Sequence, residues 1–192
     1  MAICTKEEVK TYIYGTTTPT TYDALFTQLI AQAQKNIERI TSVRITAVSD
    51  AYDDVENEIV NSIGICEIRA KSKPIRTITK VETRQSDFSF SQQTTQSESE
   101  MEVDGRSIYT SYSVASKGQR NIRLTYTAGY KEDEVPDDLK LAAIMMVVGL
   151  FNKRESVGYT SQNVLGLNLA ISNEQAFEIE NILNKYKDAY AY

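Results

Sequence analysis

The chain has 192 residues, with 26 acidic and 21 basic side chains and a formal net charge of -5. That length suits one domain with a sizeable core, or a core domain carrying an insertion, and argues against two large domains. The acidic balance excludes a grip on nucleic-acid phosphates through bulk charge, and the absence of histidine excludes Ser-His, Cys-His and His-zinc sites.

Near the start, Thr5 followed by Glu8 is a capping-box pattern that predicts a short helix over 6–14, ended by Gly15. Glu7 and Glu8 stand where a secretory leader would carry basic residues, so no signal peptide is expected. The two cysteines, Cys4 and Cys66, lack the C-x-x-C spacing of a zinc or redox pair and read as small apolar residues in a reducing compartment. Residues 16–21, with Pro19, read as a turn. From Tyr22, the recurrence of Leu25, Leu29, Ala33, Ile37 and Ile40, with Phe26 and Ile30 alongside, predicts a helix of about five turns. Gln28, Gln32, Lys35 and Arg39 fall on its polar face.

The centre of the chain changes period. An acidic run, Asp50, Asp53, Asp54, Glu56 and Glu58, lacks the glycine and spacing of an EF-hand and reads as a solvated or channel-facing loop. Its alternative is a divalent-cation site of a metal-dependent nuclease or hydrolase. Strands are predicted over 59–70, 75–84, 107–115 and 121–127, where β-branched residues alternate with polar ones and Pro74 opens the second. Residues 85–100, rich in Ser, Gln and Thr, are expected to be a mobile loop. Glu98, Glu100 and Glu102 alternate as on a charged strand edge. Arg69, Lys71, Lys73 and Arg76 cluster around Pro74 without interleaved aromatics, which favours a protein partner or solvent over DNA phosphates. The Thr125–Tyr130 segment reads as a strand ending at a glycine turn, with no phosphate-loop spacing.

Val135-Pro136-Asp137-Asp138 initiates a helix to about Lys153 that is apolar over nearly its whole circumference. Such a helix needs apolar partners on more than one side. Its longest apolar stretch, Leu141 to Phe151, is far shorter than the ~20 residues a membrane span requires. A flexible stretch over 157–168 then leads into a last helix from near Asn173, with Ala176, Ile179, Leu183 and Tyr186 on one face. The chain ends in the aromatic series Tyr186, Tyr190 and Tyr192, which reads as an interface or as packing back on the same subunit.

Four segments in order carry a family resemblance: Lys73-Pro74-Ile75-Arg76-Thr77-Ile78; Asn121 to Tyr130; Val135 to Ala142; and Asn152 to Gly158. With these, the chain resembles the head-to-tail connector (head-completion adaptor) family of tailed phages, over most of its length. The resemblance implies an α+β fold, a small bundle of about four helices with an inserted antiparallel β-hairpin or sheet region. The helical core is expected at 1–58 and 117–192, and the β-rich insertion at 59–116 with the flexible loop 85–100. Relative to shorter members, 86–116 reads as expanded.

The implied function is that of a non-enzymatic structural virion protein of the neck, made in the host cytoplasm, without catalytic residues, cofactor or metal. The implied partners are copies of itself in a dodecameric ring, the portal protein above, and the tail or next adaptor below. DNA would pass through the channel without specific binding, and no membrane is involved. Another ring-forming tail-completion or terminator protein is the alternative. The helix apolar all round is explained if one face packs within the subunit and another against the adjacent copy. Met145, Val148 and Phe151 on that helix, Phe88 and Phe90 in the loop, and Tyr186, Tyr190 and Tyr192 in the tail are the expected subunit or partner contacts.

Overall fold

The computed structural model describes residues 2–15, 20–45, 52–62, 64, 66–84, 89–92, 101–110, 115–153, 161–164, 166–170 and 172–187. Its fold is α+β and divides into two compact units, Met1–Ser49 with Glu132–Tyr192, and Asp50–Lys131.

The first unit is helical. In α1 (Lys6–Tyr14) the predicted capping box forms: the Glu8 amide donates to Thr5 Oγ1 at 3.2 Å, and Glu8 Oε2 accepts from the Thr5 amide at 2.6 Å. The buried line of α2 (Asp23–Thr41) is Phe26, Ile30, Ala33 and Ile37. Leu25, Leu29 and Ile40 lie half-buried at its margin, so the stripe is centred about one residue away from the predicted one. Lys10, though charged, is 2% exposed; its ammonium reaches Asp23 Oδ1 at 2.6 Å and Glu7 Oε1 at 3.2 Å, tying α1 to the first turn of α2. The hydrogen bond to Asp23 holds the Lys10 pKa above the ordinary lysine value, and the same bond holds the Asp23 carboxyl below the carboxylate range.

Helix α3 (Asp137–Lys153) buries Leu139, Ala142, Ala143, Met145, Met146, Val147, Gly149 and Phe151. It touches α1, α2, α4 (Asn173–Tyr186) and strand β9 (Leu167–Ala170) of the same chain. Strand β9 pairs with β8 (Ser161–Val164) in a hairpin that turns at Gly166, where φ is +83°. Much of the 157–168 stretch expected to be flexible is therefore a hairpin. The overlooked signal is the alternation Leu167-Asn168-Leu169 beside a glycine. Helix α4 carries its own capping box, Ser172 with Gln175, and buries Ile179, Ile182 and Leu183.

The second unit is built from β1 (Asp53–Ser62), β2 (Glu67–Arg69), β3 (Ile75–Arg84), β4 (Phe90–Gln92), β5 (Met101–Asp104), β6 (Ser107–Thr110) and β7 (Gly118–Ala128). One antiparallel sheet has the order β1-β7-β3-β4 and the other β2-β6-β5. Ile68, Ala70 and Ile108 share a core cluster with Val60, Ile78, Val81, Ile122, Leu124 and Tyr126, so the two sheets close on one apolar core. Because β7 lies between β1 and β3, residues 50–58 and 117–131 fall in the β unit, outside the 59–116 expected from sequence. The acidic run is correspondingly no loop from Asp53 onward: it forms the first half of β1, with a bulge between Val55 and Glu58 where Asn57 has φ +56°. The predicted loop over 85–100 contributes a short strand, β4, paired with the end of β3; 85–88 and 93–100 lie outside the described residues.

The Thr125–Tyr130 segment sits at the middle of this unit. Tyr126, 1% exposed, donates its hydroxyl to Glu58 Oε2 at 2.6 Å and accepts from the Ser72 amide at 3.2 Å. Glu58 Oε1 accepts from the Lys71 amide at 2.8 Å, so one tyrosine and one carboxylate hold β7, β1 and the 71–72 turn together. Burial first, and the Glu58 carboxylate second, keep the Tyr126 phenol above the ordinary tyrosine range. Gly129 donates its amide to the Pro74 carbonyl at 2.8 Å, and its carbonyl accepts from Arg76 Nε at 3.0 Å. Replacing Tyr126 by phenylalanine removes both hydroxyl bonds while keeping the ring. The expected loss is about 1–2 kcal/mol of unfolding free energy, read from the urea midpoint at constant slope. An unchanged midpoint would show that this network does not hold the unit.

Candidate assembly surface

The residues expected at subunit contacts separate by environment. On α3, Met145 is 1% exposed and Phe151 7%, both inside the helical unit. The Phe151 ring stacks on Phe26 at 4.9 Å and meets Tyr22 edge-on at 5.4 Å. Val148 is half-buried, in line with Leu141 and Ile144 at spacings of three and four. The circumference of α3 is thus largely covered by its own subunit, and Leu141, Ile144 and Val148 form a half-buried apolar line along it.

The aromatic candidates divide similarly. Phe90, on β4, is half-buried under the Arg123 guanidinium, 4.5 Å from its ring centre. Glu82 holds that guanidinium with two hydrogen bonds of 2.7 and 3.0 Å, which keep its own carboxyl below the ordinary glutamate range. Tyr186 is half-buried and donates its hydroxyl to Asp138 Oδ1 at 2.6 Å, packing back on the first turn of α3. Phe88, Tyr190 and Tyr192 lie outside the described residues. Sequence reasoning missed Phe177, which is 67% exposed on α4, and Tyr12, 46% exposed on α1. Both lie off the apolar face of their helix, and a helical projection of 173–186 would have singled out Phe177.

The charged clusters are engaged within the subunit. Arg69 pairs with Glu67 at 2.7 Å. Arg76 lies 4.9 Å from the ring centre of Tyr52 and 5.5 Å from that of Tyr130, and Lys131 lies 4.4 Å from that of Tyr52. The basic cluster therefore does have aromatic neighbours, brought in from residues 52 and 130 by the pairing of β1, β7 and β3. Of the acidic run, Glu58 is taken by Tyr126 and Lys71, and Asp50 lies outside the described residues. No three acidic or thiol groups converge as a cation site among the described residues. Glu102 is exposed on β5, while Glu98 and Glu100 lie outside the described residues. Of the cysteines, Cys66 is exposed, contrary to the expectation that both are core residues. Cys4 is buried, and burial, then the nearby Glu8 carboxylate, pushes its thiol up to about 12. It lines a cavity of about 250 Å³ with Ala2, Thr5, Lys6, Thr27 and Ile30.

Compared with known families, residues 2–189 match the model described as head completion protein. The chain belongs to the head completion protein family. Among curated proteins no sequence matches this head completion protein. Among solved structures it is similar to a chain from the neck of an empty gene transfer agent (GTA) particle computed with C6 symmetry. The TM-score there is 0.63 at 11% identity, covering 97% of this chain and 90% of that one. A chain from the virion of the native gene transfer agent particle gives 0.60 at 12%, covering 97% and 90%. A chain from the neck of the native GTA particle computed with C12 symmetry gives 0.57 at 12%, covering 88% and 85%. At these identities the likeness is one of fold.

The division between core and surface on α3 has a direct check in the isolated head completion protein. Met145→Ala is expected to cost about 2–5 kcal/mol of unfolding free energy, as buried methionines do. Val148→Ser is expected to cost roughly 1 kcal/mol or less. Equal losses in chemical denaturation would mean that Val148 is as enclosed as Met145.

Proposed function

We propose that this head completion protein is a non-enzymatic connector of the virion neck. Copies of it form a closed ring that docks beneath the portal protein, prolongs the DNA channel and presents the attachment surface for the tail or the next adaptor. The observation that carries this reading is the family match across residues 2–189. The fold likeness to neck chains computed with C6 and with C12 symmetry supports it, because a ring of twelve identical subunits satisfies both.

The chemistry of the chain fits that role. Each copy adds a formal charge of -5, so a ring carries a negative field that disfavours adhesion of passing DNA. Ring closure needs two different patches per subunit, one giving and one receiving. Val148, with Leu141 and Ile144, supplies an apolar line for such a contact, and Phe88, Tyr190 and Tyr192 are the aromatic residues proposed as anchors. Met145 and Phe151 contribute indirectly, by fixing α3 within the subunit.

Negative-stain microscopy of the purified chain mixed with portal protein tests the reading. Closed rings seated on the portal are expected. A chain that remains monomeric at all concentrations and joins neither portal nor tail proteins would overturn it.

A further inference from the structure

Resting on that ring reading, we propose that Phe177 of one copy seats in the cavity between residues 2–6 and α2 of the next copy, as the knob of a head-to-tail contact. Phe177 is the most exposed large apolar side chain among the described residues, at 67%. It shares its helix face with the exposed Asn173, Glu174, Glu178 and Asn181 and lies outside the buried line of α4, Ile179, Ile182 and Leu183. Aromatic side chains that enter a pocket on a partner are the usual source of interface affinity.

The receiving site has the size for it. The cavity of about 250 Å³ opens to the surface and is lined by Ala2, Cys4, Thr5, Lys6, Thr27 and Ile30. A cavity of about 150 Å³ already holds a benzene ring. Among the described residues Lys6 is the charged residue of this lining, 43% exposed and paired with Asp23 at 3.7 Å. The carboxylates that follow it are engaged: Glu8 accepts from Thr5, and Glu7 pairs with Lys10. Along α2, the exposed residues that continue from Thr27 are Gln28, Ala31, Gln32, Lys35 and Arg39, which place two cations beyond the cavity, with Asp23 and Glu38 half-buried on the same helix. The face around Phe177 carries the exposed Glu174 and Glu178. The opposite charges lie beyond the cavity itself: Lys35 and Arg39 along α2, and Glu174 and Glu178 beside Phe177.

The charges also fix a direction. Lys35 lies about 12 Å along α2 from Thr27, and Glu174 about 4.5 Å along α4 from Phe177, at the α-helical rise per residue. An antiparallel crossing, with Phe177 over Thr27 and Ile30, brings Glu174 within side-chain reach of Lys35. A parallel crossing points it away. The knob and the cavity share no residue, so every copy can offer one and receive the other, as a closed ring requires.

Cysteine cross-linking in the full-length chain tests the contact. In a Cys66→Ser background, Phe177→Cys and Thr27→Cys variants are mixed in equimolar amounts with portal protein and treated with a mild oxidant. Disulfide-linked dimers that contain one chain of each variant are expected. A separate Phe177→Glu variant is expected to lower the assembled fraction about tenfold or more, with an unchanged thermal melting curve. Rings that form with no mixed dimer and with undiminished assembly of Phe177→Glu would overturn this contact and leave the ring reading intact. A wild-type chain that forms no rings with portal would overturn both.

Discussion

Helix α3 has almost no face suited to water, and a helix of that kind is stable only where other elements cover it on several sides. That constraint organises the helical unit. α1 and α2 come from before the β unit, and α4 and the β8–β9 hairpin from after α3, yet α1, α2, α4 and β9 all touch α3 directly. Both ends of the chain are thereby committed to one core, and the β unit is an excursion between α2 and α3. The apolar surplus of α3, which on sequence grounds invited a neighbouring copy, is absorbed mostly at home. On the proposed ring reading, assembly falls to outer faces: the Leu141, Ile144 and Val148 line, and the polar sides of α2 and α4.

In the β unit the corresponding constraint is the central position of β7. It pairs with β1 on one side and β3 on the other, so its inward side chains must be apolar and its one polar atom at the core must be satisfied. Tyr126 meets both demands, its ring in the core cluster and its hydroxyl between Glu58 and the Ser72 amide. The acidic run gains a structural reason from the same contacts. Glu58 serves the tyrosine, while Asp54 and Glu56 face outward on an edge strand, where charge discourages unwanted strand addition.

What could be read from sequence followed the range of the interactions. α1, α3 and the start of α4 are set by local capping and by periodicity, and they fall where Thr5 with Glu8, Val135-Pro136 and the Ala176, Ile179 and Leu183 spacing place them. The family came from the resemblance carried by residues 73–78, 121–130, 135–142 and 152–158, and the α+β class with about four helices was what it implied. The acidic half of β1 was hidden because carboxylates have poor strand propensity and only the pairing with β7 makes a strand of them. The same non-local pairing moved the unit boundaries and brought Tyr52 and Tyr130 to Arg76. Cavities are products of packing and leave no mark in a sequence, so the site offered to Phe177 was not legible, although the exposed position of Phe177 on α4 was.

Helix α3 is enclosed by its own subunit before any assembly. Hydrogen–deuterium exchange of the isolated chain and of the chain assembled on portal tests this most directly. The α3 amides over 139–151 are expected to be among the slowest to exchange in the isolated chain, and to change little on assembly, while the exposed sides of α2 and α4 gain protection. Rapid exchange of α3 in the isolated chain, slowed only in the ring, would contradict it.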